Sequence, residues 1–241
     1  MDKFLSGKQA VVTGGNRGIG RAIAEGLLRA GAEVVICGRS REAAERAAGE
    51  LSEATGGKAA GLAVDVRSED DAARLFQFVD ERFGGLDILI NNAGVGIFRP
   101  MAELTVEEWR QVIDTNLTGT FLCSREAMPR FGKRGGGFII NISSLAGKNP
   151  FPTGAAYNAS KFGLNGFSEA MMMDHRHDKV RVSYVMPGSV ETGFRPKDEA
   201  QDWSWKIAPE DVAEIVLSIL RMPERTLISR VEVRPSRPKK G

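Results

Sequence analysis

Gln9-Ala-Val-Val-Thr13 runs directly into Gly14-Gly15-Asn16-Arg17-Gly18-Ile19-Gly20, and Arg21 to Ala30 follows, closed by Gly31. A short apolar run, a glycine cluster and an amphipathic stretch ended by glycine read as strand, tight turn and helix. Glycine lets such a turn fold sharply and brings main-chain N–H groups close to an anion at the helix N-terminus, where the helix dipole favours negative charge. The spacing is Gly14, three residues, Gly18, one residue, Gly20, not the common G-x-G-x-x-G. Taken alone, the turn also suits a strand–helix connection that holds no ligand.

The alternation continues along the chain. Strands are expected at Val34–Cys37, Ala59–Val64, Leu86–Ile90, Phe138–Ile142, Val180–Val185 and Thr226–Val233. Helices are expected at about Arg41–Thr55, from an N-cap at Ser68 to Phe83, at Thr105–Phe131, Ala155–His177 and Pro209–Leu220. Continuous apolar strands separated by helices imply a parallel sheet covered on both faces. The expected fold is therefore α/β, a single Rossmann-type, doubly wound domain spanning residues 1–241. One long segment without periodicity, about Gly188 to Ala208, follows a strand end and is expected to be a substrate lid.

Bulk properties narrow the function. The 241 residues, 42% hydrophobic and 27% charged, suit one soluble globule, and a net charge of +2 gives no strong steering toward nucleic acid or membrane. Two cysteines, Cys37 and Cys123, make no disulfide framework, and His175 and His177 are the only histidines, so no metal centre is expected. No signal-peptide or membrane-spanning run is visible, which makes a cytoplasmic protein the default. The basic, Pro-rich end Arg234-Pro-Ser-Arg-Pro-Lys-Lys-Gly241 reads as a frayed, solvated tail, not a nucleic-acid arm.

The end of the second strand bears on the anion. Sites for NAD place an acid there to accept from the ribose 2′-OH, whereas arginine accommodates the 2′-phosphate of NADP. The expected acidic position is Gly38, followed by Arg39, and Arg17 offers a second cation from the glycine-rich turn. Two guanidiniums and no carboxylate point to NADP(H). As solvated residues at a helix start, Arg39 and Arg41 would sit against the dipole unless an anion lay nearby.

Tyr157-Asn-Ala-Ser-Lys161 opens a helix and sets Tyr157 and Lys161 one turn apart on one face. Free tyrosine titrates near 10, and an adjacent ammonium favours the phenolate, which brings the group toward the working range of an acid/base. Ser144 follows the strand end at Ile142, where side chains gather at the carboxyl edge of the sheet, and its hydroxyl suits a substrate oxygen. Read individually, Asn116 suits a surface or backbone-bonded residue, Asn91 to Gly94 a turn, and Asp65 a cap.

With these residues in view, the chain resembles the short-chain dehydrogenase/reductase family from Lys8 to about Val233. The resemblance rests on Thr13-Gly14-x-x-x-Gly18-Ile19-Gly20, Asp65-Val66, Asn91-Asn-Ala-Gly94, Asn116, Ser143-Ser144, Tyr157-x-x-Ser-Lys161 and Pro187-Gly188-x-Val190-x-Thr192, in that order. It implies a hydride transfer between a nicotinamide and a carbonyl or alcohol carbon. Tyr157 would be the acid/base, Lys161 would bind the nicotinamide ribose and depress the tyrosine pKa, Ser144 would position the carbonyl, and Asn116 would hold a relay water. Cofactor contacts are implied at Gly14, Asn16, Arg17, Gly18, Ile19, Gly20, Arg39, Asp65, Val66, Asn92, Ala93, Gly94, Tyr157, Lys161, Pro187, Gly188, Val190 and Thr192.

Substrate signals are sparser. Val95, Ile97, Leu145, Phe151, Met186, Phe194, Trp203 and Trp205 are candidate walls for an apolar or amphipathic carbonyl or alcohol, with Arg99 or Arg195 as candidate anchors. The resemblance extends to 3-oxoacyl-acyl-carrier-protein reductases. Asp174 and Asp178 weaken a carrier-binding patch, while Lys133 and Arg134 leave one open. A non-catalytic dinucleotide-binding module and an epimerase or dehydratase are the other readings. Family members usually form tetramers through the two long helices, so a homo-oligomer, tetramer or dimer, is implied. Phe162, Phe167, Met171 and Met172 suit that interface or burial within the monomer.

Overall fold

In the computed structural model, residues 3–192 and 203–238 are described. Seven strands form one all-parallel sheet: β1 (Gln9–Thr13), β2 (Glu33–Gly38), β3 (Ala59–Ala63), β4 (Ile88–Asn91), β5 (Gly137–Ile142), β6 (Val180–Pro187) and β7 (Arg230–Val233). Their order is β3-β2-β1-β4-β5-β6-β7, so the winding reverses between β1 and β4. Seven helices connect them: α1 (Gly18–Arg29), α2 (Arg41–Thr55), α3 (Glu69–Phe83), α4 (Val106–Ile113), α5 (Gly119–Arg134), α6 (Ala155–His175) and α7 (Pro209–Leu220). The doubly wound α/β architecture is the one expected.

Period-two alternation divides each strand between two cores. Val12, Ile36, Ile90 and Ile140 pack with Ile23 and Leu27 of α1 and Val216 of α7 on one face. Their neighbours Val11, Val35, Leu89 and Ile139 pack on the other with Phe76 of α3, Phe131 of α5 and Met171 of α6. Local signals set the helix ends. The Ser40 and Ser68 hydroxyls cap α2 and α3, and Gly56 and Gly84 close them in the left-handed conformation. Thr105 and Glu108 make a reciprocal capping box at α4.

Among the expected bounds that differ, three have a local cause. The helix expected over Thr105–Phe131 is broken by a π-helical segment, Asp114–Thr118, in which Gly119 N–H reaches back to Asp114 O. The helix from Ala155 ends at His175, where a 3-10 turn, Arg176–Asp178, carries the exposed His177. The last strand starts at Arg230, because Thr226 is tied into a turn with Pro223.

Residues 193–202, which include Phe194 and Arg195 of the expected lid, lie outside the described residues. The flanks of that segment are joined by a bridge between Val190 and Ile207, with Glu191 N–H donating to Ile207 O at 2.8 Å. No described helix is long and apolar enough to cross a membrane.

Candidate active site

All seven strands point the same way, so every connection that follows a strand emerges at one edge of the sheet. A cavity of about 950 Å³ opens there, across the β1/β4 reversal.

One end of its floor is the turn after β1. Gly14 and Gly18 hold φ of +63° and +54°, which side chains resist. At Gly20 a Cβ would lie 2.4 Å from Asn92 Nδ2 and from Gly14 O, so no larger residue fits. The turn is pinned from β4: Asn92 Nδ2 donates to Thr13 O (3.0 Å) and Gly14 O (3.1 Å), while Asn92 and Ala93 N–H both donate to Thr13 Oγ1 at 3.0 Å. Arg17, at the N-cap of α1, supplies no side-chain cap, which leaves first-turn N–H groups for an anion. A glycine-lined helix start with exposed Arg17 and Arg39 at the cavity rim fits the phosphates of a dinucleotide. Asp65 accepts both arms of Arg67, which holds its carboxyl below the usual range. Val66, Gly94, Pro187, Gly188, Val190 and Thr192 line the same cavity.

Toward β5 and β6 the side chains change character. Tyr157, in the first turn of α6, is half-buried beside Phe98, whose ring centre lies 5.6 Å away, and Phe151 at 6.5 Å. Lys161 stands one turn on, with its Nζ 5.8 Å from the Tyr157 ring centre. Lys161 is buried and donates to Ile142 O at 2.9 Å; burial pulls its pKa down to about 8. Ser144 caps a short turn by accepting from Ala146 N–H at 3.1 Å, and its hydroxyl faces Pro187 O at 3.5 Å, a weak contact. Ser143 bonds Asn165 at 2.6 Å instead.

Asn116 occupies the π-helical segment and is buried. Its Oδ1 accepts from Val95 N–H at 2.8 Å, and its Nδ2 donates to Val95 O (2.9 Å) and Ser160 Oγ (3.0 Å). Ser160 Oγ donates in turn to Tyr157 O at 2.8 Å. The Asn116 side chain thus locks the Val95 strand end to the Tyr157 helix. Both its amide hydrogens are used, and its main-chain carbonyl accepts from the Thr120 hydroxyl at 3.0 Å.

The structure brings together every implied site residue except Asn116, which sits one layer behind the wall, and Gly20, which is packed beneath the turn. Several substrate expectations need correction. Val95, Leu145, Phe151, Trp203 and Trp205 line the cavity, but Ile97 and Met186 do not. Arg99 is tied to Glu108 at 2.9 Å on the outside of the fold, so it is no anchor. Arg134 donates to Gln9 Oε1 at 2.7 Å, at the amino edge of the sheet. The C-terminal segment does not fray at its start: Arg234, Pro235 and Pro238 line the cavity, because β7 is parallel and delivers them to its edge. Phe98, Arg67, Asn149 and Lys206 were also missed as wall residues. Only the tail had a readable signal, the direction of the last strand.

The comparisons agree with this geometry. The family model for short chain dehydrogenase matches residues 8–203. An oxidoreductase of Staphylococcus aureus strain USA300 is 32% identical over 231 residues, covering 96% of this chain and 98% of that protein. A 3-oxoacyl-[acyl-carrier-protein] reductase of Aquifex aeolicus is 35% identical over 226 residues, covering 90% and 91%. The crystal structure of a metagenomic short-chain oxidoreductase in complex with NADP shares 40% identity at TM-score 0.85, covering 97% and 99%. An alcohol dehydrogenase of Thermococcus sibiricus, complexed with 5-hydroxy-NADP, superposes at TM-score 0.88 with 28% identity, over 97% and 99% of the two chains. A glycine-floored cavity with tyrosine and lysine one helical turn apart, and matches over nearly the whole length, make this chain an oxidoreductase of the short-chain dehydrogenase family.

Proposed function

We propose that the chain interconverts a ketone or aldehyde and an alcohol using NADP(H), with Tyr157 as general acid/base. The observation that carries this reading is the Tyr157–Lys161 pair on one face of α6, at the wall of the cavity that the glycine-rich turn opens into. A bound reduced nicotinamide supplies the hydride. Tyr157 gives its proton to the carbonyl oxygen as negative charge develops there, and takes it from the alcohol in the reverse direction. With a pKa of about 8, Lys161 is still largely cationic near neutral pH, and its charge favours the phenolate that remains. Ser144 donates to the substrate oxygen and fixes it beside the phenol. Asn116 holds Val95 and, through Ser160, the Tyr157 turn in register, and its carbonyl holds the water that returns the proton.

Arg17 and Arg39 favour the phosphorylated dinucleotide, and the position where an acid would repel that phosphate is Gly38. Two of the similar solved structures hold NADP or its hydroxy derivative, which supports the same choice. Assembly through the exposed faces of α5 and α6 into a dimer or tetramer completes the proposal; Phe121 and Phe162 stand exposed there.

The test is nucleotide oxidation across a carbonyl panel, with NADPH and NADH in parallel, for wild type and Tyr157→Phe. We expect NADPH to be preferred and the variant to lose about a hundredfold or more in kcat. Undiminished turnover in the variant would remove Tyr157 from its role.

A further inference from the structure

The cavity wall is strongly cationic: among the described lining residues Asp65 is the one acid, against Arg17, Arg39, Arg67, Lys161, Lys206 and Arg234. Sheet order sorts these cations. Arg17, Arg39 and Arg67 follow β1, β2 and β3 and gather at the adenine end. Lys206 and Arg234 follow β6 and β7, at the opposite end of the cavity from these, next to the Pro187–Thr192 stretch on which the nicotinamide end of the dinucleotide is expected.

Arg234 is held in place by its surroundings. Gly188 N–H donates to Val233 O at 2.8 Å, and a Cβ on Gly188 would stand 3.1 Å from Leu145 Cδ1 and 3.2 Å from Pro235 Cδ. The start of the tail is therefore wedged against the turn that carries Ser144 and Leu145. One carboxylate, Glu232, bridges Lys148 Nζ (2.6 Å) and Arg234 Nη2 (3.1 Å), which ties the tail to the same turn. Two cations around one acid leave net positive charge at that end. A guanidinium has five N–H donors, and Glu232 engages only one nitrogen of Arg234, so donors remain for a second carboxylate. The same cavity is lined by the apolar and aromatic side chains of Leu145, Phe151, Trp203 and Trp205.

We propose that residues 234–238 form a specificity wall of the substrate site, and that Arg234 selects oxo acids, carbonyl compounds with an apolar body and a carboxylate remote from the reacting carbon. The inference rests on the carbonyl reduction proposed above. An oxo acid lies with its carbonyl at Ser144 and Tyr157, its hydrocarbon body against the aromatic wall and its carboxylate on the Arg234 fork, with Lys206 adding charge at the same end.

Levulinate, its longer homologues and the methyl ester of each separate charge from shape. NADPH oxidation would be followed for wild type, Arg234→Gln and Arg234→Glu, with thermal unfolding of each to verify the fold. The wild type is expected to favour one acid over its ester by about tenfold in kcat/KM, the worth of one charge-assisted contact. Arg234→Gln should erase that ratio through KM, and Arg234→Glu should invert it. A ratio unchanged in Arg234→Gln, or a wild-type preference for the esters, overturns the proposal. If no carbonyl compound is turned over, the reductase reading fails separately. Calorimetric titration of the NADP+-loaded protein with the same acid and ester pairs then decides this inference: acid-selective binding lost in Arg234→Gln upholds it, and equal or absent binding of acid and ester sinks it.

Discussion

Lys161 carries the largest electrostatic cost in the site. Burial alone lowers its pKa to about 8, and among the described residues its contact is a neutral carbonyl, that of Ile142. In the unfolded chain a lysine titrates near 10.4, about two units higher. Below about pH 8 both states are protonated, and the cost of burying the ammonium is present in full. Between about pH 8 and about pH 10 the unfolded chain binds more protons, so the folded state gains stability as pH rises. In Lys161→Met this gain is absent. Urea unfolding of the cofactor-free proteins at about pH 8 and about pH 10 should show wild type gaining about 2 kcal/mol relative to the variant. A pH-independent difference would mean that the ammonium is solvated or paired in the folded chain. Such a cost is tolerated where the charge has chemistry to perform, and here it faces the Tyr157 ring.

At the scale of elements, the glycine-rich turn and the end of β4 act as one unit, and Gly20 is where they meet. In Gly20→Ala the added methyl would overlap both Asn92 Nδ2 and Gly14 O, so either Asn92 releases the turn or α1 shifts outward. The expected outcome is a loss of about 1–3 kcal/mol in stability and a smaller NADP+-induced rise in Tm, read by thermal unfolding with and without the nucleotide. Equal Tm values and an equal ligand shift would show that the turn relaxes without cost. This unit was legible in the sequence because its residues are local: a strand, three spaced glycines and a helix occupy Gln9 to Arg29. The alternation of strands and helices and the Tyr157–Lys161 face were legible for the same reason, as products of short-range periodicity. The π-helical segment was not, because one extra residue hardly disturbs a hydrophobic pattern of period 3.6. The fate of Arg99 was hidden too, since its partner Glu108 is set by how the loop after β4 folds back on α4. Phe98 joins the wall through contacts across the fold, which no local pattern encodes, whereas Arg234 is delivered there by the direction of the last strand.

For the whole molecule, the parallel sheet imposes a polarity. Its carboxyl edge gathers the cavity, while its amino edge is fastened by exposed pairs such as Lys8–Asp87 and Lys58–Glu33, each worth little individually. Neither edge explains the outer face of α5 and α6. Phe121 and Phe162 are 42% and 47% exposed and Met173 is 60% exposed, on adjacent helices joined by the Phe121–Phe167 ring contact at 6.3 Å. Two helices of 16 and 21 residues give a face about 24 and about 31 Å long, enough for a second copy to cover with its own pair. A two-fold axis across this face would bring Phe121 and Phe162 of both copies into one interface, so a charge introduced there is doubled. Light scattering after size exclusion should therefore find wild type as a dimer or tetramer, and Phe121→Glu with Phe162→Glu as a smaller species. The exposed positions make the substitution cheap within one subunit, so the Tm of the separated subunits should fall only as far as the lost association dictates. A monomeric wild type at micromolar concentration, or a double variant of unchanged mass, would remove this face as the site of assembly.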